Sequence, residues 1–156
     1  MAFPSVIFEN AADYWSSYSQ ELNRAAQTVD GDDIEKAVEL IAKAISKESL
    51  IFVCGNGGSA AVASHLVCDH NKGIRTDTAL RPRVICLNDN VPSMTAISND
   101  MAYARVFDYQ LSSLANNGDL LVTISSSGDS DNIVSAIRWA NENQVSTIAL
   151  TGFSGG

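Results

Sequence analysis

From residue 50 onward the sequence alternates short apolar runs with segments of helical spacing, and this alternation constrains the fold more than any other feature. The apolar runs are Leu50–Cys54, Val84–Leu87, Leu120–Ile124 and Val145–Leu150. The helical segments that separate or flank them lie near residues 59–71, 91–98, 102–115 and 130–143. Continuously apolar strands that alternate with helices are typical of a parallel sheet covered on both faces. The sequence therefore predicts an α/β fold built on a parallel sheet.

Two helical segments precede the first strand. Residues 9–29 place Tyr14, Tyr18 and Leu22 on one face, and residues 33–47 carry a second apolar face. Asp32 or Asp33 is expected to cap the second helix by accepting bonds from its free N–H groups. Both apolar faces look wide enough to pack on something besides the sheet. Contact with another subunit and packing within the chain both remain open.

Length and charge bound the class of protein. The chain has 156 residues and a formal net charge of −8, which fits one domain and disfavours general nucleic-acid binding. We expect a single domain, 1–156, with a helical extension over 1–48 and an α/β core over 49–156. A basic cluster within residues 72–83 is read as a solvated loop or, alternatively, as a local patch. The final strand followed by a Gly-rich turn suggests that the sequence is cut short or that the fold is smaller than expected.

The three cysteines and the absence of a membrane-spanning segment indicate a cytoplasmic protein. Cys54 and Cys86 lie in apolar runs, and neither they nor Cys68 stand at a metal-knuckle or redox-pair spacing. A reducing compartment suits such thiols. No segment approaches the roughly 20 apolar residues of a membrane span, and the N-terminus has no basic region followed by an apolar stretch.

A glycine-rich loop follows the first strand, with the sequence Cys54-Gly55-Asn56-Gly57-Gly58-Ser59. Its glycines let the backbone turn tightly and approach a ligand. The next helix begins here and offers free N–H groups with a partial positive charge, which suit a phosphate. The loop lacks the spacing of both nucleotide fingerprints, so a nucleotide-binding domain is disfavoured. Contact with a phosphate or sugar is the interpretation we favour over a plain strand-to-helix turn.

A serine-rich loop follows the third strand, with the sequence Ser125-Ser126-Ser127-Gly128-Asp129-Ser130. Hydroxyl groups donate to a phosphate dianion without adding opposing charge, and a helix begins at the end of this loop. The Asp129 carboxylate would repel phosphate, so it is expected to point away or to cap the helix. Two such loops at strand ends of one sheet predict a phosphate site more strongly than either does alone.

His65 and Asp69 are four residues apart on a predicted helix and therefore share a face. That spacing suits a metal pair or a base with its partner, but from spacing alone a hydrogen bond on the helix surface is the favoured interpretation. The segment Ser98-Asn99-Asp100 lies between two helical stretches, where Asn-Asp is a common helix-breaking pair. From spacing alone, both features are structural.

These motifs together resemble the sugar-isomerase (SIS) domain family, and within it the phosphoheptose isomerases. The resemblance rests on the two leading helices, Gly55–Ser59, His65, Asn99-Asp100, Ser125–Ser130 and Thr151-Gly152. It implies a three-layer, flavodoxin-like sandwich and an aldose–ketose isomerase that converts sedoheptulose 7-phosphate to D-glycero-D-manno-heptose 7-phosphate for lipopolysaccharide and capsule heptose. It also implies a homotetramer with sites at subunit interfaces.

The resemblance assigns roles to individual residues. It implies that Asn56, Gly57, Ser59 and Asp100 contact the sugar and that Ser125, Ser126, Ser127 and Ser130 hold the phosphate. It implies zinc on His65 and Asp69, with Asp69 as catalytic base. Asp69 stands where the family usually has a glutamate, and the family's final strand and helix, which complete the zinc site, have no counterpart here. A non-catalytic sugar-phosphate sensor or protein-binding scaffold, like a replication-initiator-binding relative, is therefore the alternative hypothesis.

Overall fold

The structure is a computed structural model that describes residues 3–155. The chain divides into two compact units, Met1–Val38 and Glu39–Gly156. The expected single domain, with its boundary after residue 48, stays a prediction. Within the described residues no helix is both long and apolar enough to span a membrane.

The first unit contains helix α1, Ala11–Ala26, and the start of helix α2, Gly31–Ser46. Asn10 caps α1, since its Oδ1 accepts a bond from the Asp13 N–H at 2.9 Å. The expectation that Asp32 or Asp33 caps α2 is wrong. Helix α2 begins at Gly31, and the Asp30 Oδ1 accepts from the Asp32 N–H at 2.9 Å. Asp32 and Asp33 instead lie in the first turn, where negative charge favours the helix dipole.

Aromatic side chains gather at the start of the first unit, and large apolar side chains on both helices remain exposed. The ring centroids of Phe8 and Tyr14 are 5.5 Å apart, and those of Tyr14 and Tyr18 are 6.1 Å apart. Trp15 is 66 % exposed and Leu22 59 % exposed. The apolar faces expected from the sequence are therefore present, and subunit contact through them stays a prediction.

The second unit is built on a sheet of four parallel strands in the order β2-β1-β3-β4. The strands are β1 Leu50–Gly55, β2 Arg83–Cys86, β3 Leu120–Ser125 and β4 Ser146–Thr151. All four predicted strands exist, with bounds shifted by one residue or less at each end. The parallel α/β architecture is confirmed.

Helices follow the strands as the alternation predicted, with three differences in detail, of which the first is a short helix, Arg75–Asp77, that was not predicted. They are α3 Gly58–Cys68, α4 Arg75–Asp77, α5 Val91–Asp100, α6 Asp108–Leu114 and α7 Asp131–Glu142. The predicted helix 59–71 ends as an α-helix at Cys68 and continues as a π-helix, Asp69–Ile74. The predicted helix 102–115 is two elements, a 3₁₀-helix Tyr103–Arg105 and α6.

Alternate residues of the central strands pack into separate cores on the two faces of the sheet. On one face Phe52 and Leu121 pack with Ile97 of α5, Leu111 of α6 and Ile133 of α7. On the other face the buried side chains come from the strands, from α3 and from the later part of α2, and they include Ala44, Ile51, Val53, Ala63 and Val122. Helices on both faces of the sheet make the three layers that were expected.

The expectation that all four strands are covered on both faces is wrong for β2 and β4. Residues along β2 alternate between exposed and buried, and Leu150 in β4 is 48 % exposed. Both strands lie at edges of the described sheet, where the helical layers cover them less. Only β1 and β3 are buried along most of their length.

The buried carboxylate of Asp119 fixes the two central strands at their starts. Its Oδ1 accepts from the Leu50 N–H and its Oδ2 from the Asn116 N–H, both at 2.8 Å. Strand β1 then runs in register with β3, so that Gly55 lies beside Ile124. The loops after β1 and β3 therefore leave the sheet at the same level, which is what a shared binding site requires.

Candidate functional site

The glycine-rich loop after β1 is held tightly at Gly55. The Asn88 side chain accepts from the Gly55 N–H at 3.2 Å and donates to the Gly55 carbonyl at 2.8 Å. Gly57 has φ 55° and ψ −120°, a conformation that glycine adopts without strain. It occupies the N-cap of α3, which has no side-chain cap. The Ser59, Ala60 and Ala61 N–H groups donate to carbonyls of the loop, so the Gly58 N–H is the group at the start of α3 that a ligand oxygen can use.

The serine-rich loop after β3 folds back on its own first residue. The Gly128 N–H donates to both the carbonyl and the Oγ of Ser125, each at 3.2 Å. Ser125 is buried, whereas Ser126 and Ser127 are exposed. Ser130 forms the N-cap of α7 but makes no side-chain cap bond. Hydroxyl groups and an uncapped helix start therefore lie together in this loop.

Asp129 is exposed and does not form the cap of α7, since Ser130 occupies the N-cap position. Of the two alternatives expected for Asp129, the helix cap is thus wrong, and an orientation away from a phosphate stays a prediction. Its backbone N–H instead donates to the Ser127 Oγ at 3.2 Å. That bond uses an acceptor site of Ser127 and leaves the Ser127 O–H able to donate to a ligand.

The end of β4 supports the serine-rich loop from the side. The Gly152 N–H donates to the Ser126 carbonyl at 2.9 Å. A Cβ at position 152 would lie only 2.9 Å from the same carbonyl oxygen. Gly152 thus approaches the loop more closely than a residue with a side chain could.

A hydrogen-bonded pair of amides joins the two loops. The Asn56 Nδ2 donates to the Asn132 Oδ1, and the Asn132 Nδ2 donates to the Asn56 Oδ1, both at 2.8 Å. Tyr103, on the 3₁₀-helix, donates its hydroxyl to the same Asn56 oxygen at 2.8 Å. Elements that follow β1, α5 and β3 therefore meet at one side chain.

His65 and Asp69 face each other across the junction of α3 and the π-helix. The His65 Nε2 and the Asp69 Oδ1 are 3.5 Å apart, and the side chains are 75 % and 62 % exposed. Two ligands of a tetrahedral zinc, each about 2.0–2.1 Å from the metal, lie about 3.4 Å apart. The pair thus fits two positions of a zinc site. Among the described residues no group of three His, Cys, Asp or Glu side chains that could hold a metal comes together.

Asp100 ends α5 and is exposed. Its Oδ1 accepts from the Asn99 Nδ2 at 2.8 Å. The interpretation that Asn99-Asp100 breaks the helix fits this position, since the chain leaves the helix directly afterwards and reaches Tyr103 three residues later. Contact between Asp100 and a sugar stays a prediction.

Three polar residues of this region were missed by the sequence reasoning. Asn132 is 2 % exposed and lies four residues before the buried Ala136 on α7, and a polar residue on an apolar stripe is a signal that could have identified it. Asn88 follows β2 as Asn56 follows β1, which is a similar signal. Nothing in the sequence around Tyr103 points to its bond with Asn56, because that bond depends on the path of the chain between α5 and α6.

Comparison with known proteins gives consistent matches. Residues 13–152 match the SIS domain family. The phosphoheptose isomerase of Aliarcobacter butzleri is 40 % identical over 125 residues, which are 80 % of this chain and 66 % of that protein. The solved phosphoheptose isomerase structure from Neisseria gonorrhoeae superposes with a TM-score of 0.83 at 33 % identity, and that from Francisella tularensis with 0.84 at 30 %. Each comparison covers 94 % of this chain and 78 % of the solved chain.

The chain spans about two thirds of the length of the curated relatives that it matches. The match nevertheless extends over α1 from its third residue, over α2 and over all four strands. The resemblance inferred from the motifs is confirmed, and this chain is a member of the SIS domain family.

Proposed function

We propose that this protein is a sugar-phosphate isomerase that converts sedoheptulose 7-phosphate to D-glycero-D-manno-heptose 7-phosphate through a cis-enediol. The observation that carries the proposal is the meeting of two ligand-type loops at one end of the sheet, joined by the Asn56–Asn132 amide pair. Ligands of open α/β sheets bind at the carboxyl ends of the strands. The similarity to phosphoheptose isomerases supports the choice of substrate.

The serine-rich loop is the proposed phosphate site. Ser126, Ser127 and Ser130 supply hydroxyl donors, and Ser125 shapes the loop from its buried position. The start of α7 adds backbone N–H groups and the positive end of the helix dipole. Binding the non-reacting phosphate in this way fixes the position of the sugar carbons. Asn56, Gly57, Ser59 and Asp100 would then contact the sugar oxygens.

Asp69 is the proposed base. Its carboxylate takes a proton from C1 of the ketose, the electron pair of that C–H bond forms the C1=C2 double bond, and the C2 carbonyl oxygen takes up a proton from water. In the second half the O1–H proton leaves to solvent as C1=O forms, and C2 receives the proton held by Asp69. The product is the aldose, and no net oxidation occurs. His65 lies beside the Asp69 carboxylate and orients it.

Zinc, when bound, would be held by His65 and Asp69 and would polarise the carbonyl oxygen of the substrate. The separation of these two side chains fits two ligand positions. Catalytic zinc usually has three protein ligands, and the described residues bring two together.

The proposal also covers the oligomeric state, the cellular compartment and the pathway of the protein. We propose a homotetramer in which the exposed apolar side chains of α1 and α2, such as Trp15 and Leu22, contact other subunits. We also propose a cytoplasmic enzyme that serves the synthesis of lipopolysaccharide heptose. Light scattering coupled to size exclusion tests the assembly, since a species with the monomer mass of 16.6 kDa contradicts it.

The activity is tested by incubating the protein with sedoheptulose 7-phosphate and zinc in deuterated water. Formation of the aldose, with deuterium at its C2, is the expected result, because the proton held by the base exchanges with solvent during the enediol stage. The Asp69→Asn variant is the matched control, since it keeps the shape of the side chain and removes the base. Absence of turnover in a folded wild-type protein would overturn the isomerase proposal.

A second candidate is a non-catalytic module that senses a sugar phosphate or binds a partner protein. The observation that favours it is the open environment of Asp69, whose side chain is 62 % exposed and has the His65 imidazole 3.5 Å away as its neighbour. A thermal-shift screen with sugar phosphates, repeated on Asp69→Ala, separates the two. Stabilisation that is equal in both proteins, together with no turnover, supports the sensor.

A further inference from the structure

Asn132 is a buried polar side chain that neither the phosphate site nor the proposed chemistry uses. It is 2 % exposed and lies in the first turn of α7, on the side of that helix that also buries Ile133 and Ala136. Burying an amide costs free energy unless its hydrogen bonds are made. Both of its recorded side-chain bonds go to Asn56, on the other loop.

The carboxamide of Asn56 can form four hydrogen bonds, two as acceptor and two as donor. Its oxygen accepts from Asn132 Nδ2 and from the Tyr103 hydroxyl, so both acceptor sites are used. One N–H donates to Asn132 Oδ1. In the described part of the chain, the remaining side-chain N–H of Asn56 has no hydrogen-bond acceptor.

We propose that Asn132 is a positioning residue which, with Tyr103, holds Asn56 so that it meets a ligand only as a hydrogen-bond donor. This inference rests on the proposed function, because it concerns the sugar-binding part of the same site. A donor at this position suits a carbonyl or hydroxyl oxygen of an open-chain sugar. Asn132 makes its contribution through Asn56, whereas the serine hydroxyls act on the phosphate.

Fixing the amide before the ligand arrives lowers the ordering cost of binding. An exposed asparagine would turn either its oxygen or its nitrogen towards the ligand and would have to be ordered on binding. Here the amide is held by three bonds from two separate elements, each at 2.8 Å. The fixed orientation of the Asn56 amide favours ligands that place a hydrogen-bond acceptor oxygen beside its free N–H over ligands that place a donor there.

A double-mutant cycle tests the proposal. Affinities for sedoheptulose 7-phosphate and for inorganic phosphate are measured on wild type, Asn132→Leu, Asn56→Ala and the double variant. Asn132→Leu should weaken binding of the sugar phosphate about tenfold, as the loss of one good hydrogen bond does. It should change the affinity for inorganic phosphate less than about twofold, since the proposed phosphate site uses the serine hydroxyls and the start of α7 and not the Asn56 amide. In the Asn56→Ala background, the same substitution should have no further effect.

Equal weakening for both ligands would overturn the inference, because Asn132 would then act on the phosphate loop or on stability. Full additivity of the two substitutions would overturn it as well. Asn143→Ala, at the other end of α7, is the matched control for loss of an asparagine from the same helix. If Asn132→Leu does not fold, Tyr103→Phe removes one of the three bonds, and about threefold weaker binding of the sugar phosphate alone is expected.

A measurement that needs no ligand distinguishes failure of the proposed function from failure of the inference about Asn56. The side-chain NH₂ signals of Asn56 in a ¹⁵N-correlated NMR spectrum should show an ordered amide in wild type and in Asn143→Ala. In Tyr103→Phe the signals should show motional averaging of the Asn56 amide, and in Asn132→Leu this averaging should be stronger. A mobile Asn56 amide in wild type contradicts the inference whatever the protein binds, whereas an ordered amide without sugar-phosphate binding contradicts only the proposed function.

Discussion

Gly55 and Ser59 are in such close contact that a Cβ at position 55 would lie 2.7 Å from the Ser59 Cβ and 2.8 Å from its backbone. We therefore expect Gly55→Ala to lower the free energy of unfolding by about 1–3 kcal/mol, as overpacking of a tight site does. Chemical denaturation measures this change. Gly58→Ala is the control, since a Cβ there meets nothing within 4 Å. A loss of stability in Gly58→Ala as large as that in Gly55→Ala would contradict the argument.

Replacing Asp119 by asparagine should destabilise the fold without touching the ligand loops. Both carboxylate oxygens accept backbone N–H bonds at 2.8 Å, so an amide would set an NH₂ group against one of those donors. A decrease of about 2–3 kcal/mol in the free energy of unfolding is expected. It should appear as a lower urea midpoint with an unchanged slope. Asp77→Asn, at an exposed position, should change stability by less than about 0.5 kcal/mol.

Turnover should require a carboxylate at position 69, whereas it should depend little on the length of the side chain that carries the carboxylate. Asp69→Asn is expected to lower turnover of sedoheptulose 7-phosphate by at least about 100-fold, because general-base catalysis contributes on that scale. Asp69→Glu should keep turnover within about tenfold of wild type, since the side chain is 62 % exposed and has room for one more methylene. Initial rates at saturating substrate, with affinity measured separately, check both values. Equal activity in the asparagine variant would remove Asp69 from the mechanism.

The three thiols should react at very different rates. Cys68 is exposed, whereas Cys54 and Cys86 are buried, and burial raises the pKa of both buried thiols. A raised pKa leaves less thiolate at a given pH, so a disulfide reagent at pH 8 should label one thiol rapidly and the others only on unfolding. Cys68→Ser should abolish the rapid phase. Rapid labelling of a second thiol in the folded protein would contradict the structure.

The same shifts give a pH dependence of stability. Folding raises the pKa of Cys54 and Cys86, mainly because burial disfavours the thiolate. The protonated thiols therefore stabilise the folded state fully below the ordinary thiol pKa of about 8.5. This contribution is lost progressively as the pH rises above that value. The urea midpoint should fall between pH 8 and pH 10, and Cys54→Ala should reduce the fall.

The sequence predicted the strands well because their signal is local. Each apolar run is bounded by glycine, proline or polar residues, and the two central strands are buried along most of their length. The exposure of β2 and β4 could not be predicted in the same way. It depends on which strands lie at the sheet edges, and strand order is decided by packing between distant segments.

The same distinction applies to the candidate site: features with a local sequence signal could be predicted, and contacts between distant segments could not. The loops of Asn56 and Ser125 were found because each follows a strand directly, where ligand-binding residues of α/β proteins lie. The bridge from Asn56 to Asn132 spans 76 residues of sequence, and no spacing rule reaches that far. The sequence pattern predicts ordinary helix as far as residue 71 and gives no sign of the π-helix Asp69–Ile74, because a change from i+4 to i+5 bonding over six residues is too short to alter the apolar spacing.

That π-helix, Asp69–Ile74, has a consequence for how the chain can change in length. Bonds from i to i+5 accommodate an additional residue per turn and leave the flanking helical segments in their own phase. Deleting one residue there, such as Gly73, could convert the turn to an α-helix while β2 stays where it is. We therefore expect the chain to tolerate the loss of one residue in this segment, after the carboxylate of Asp69, without a change in the sheet.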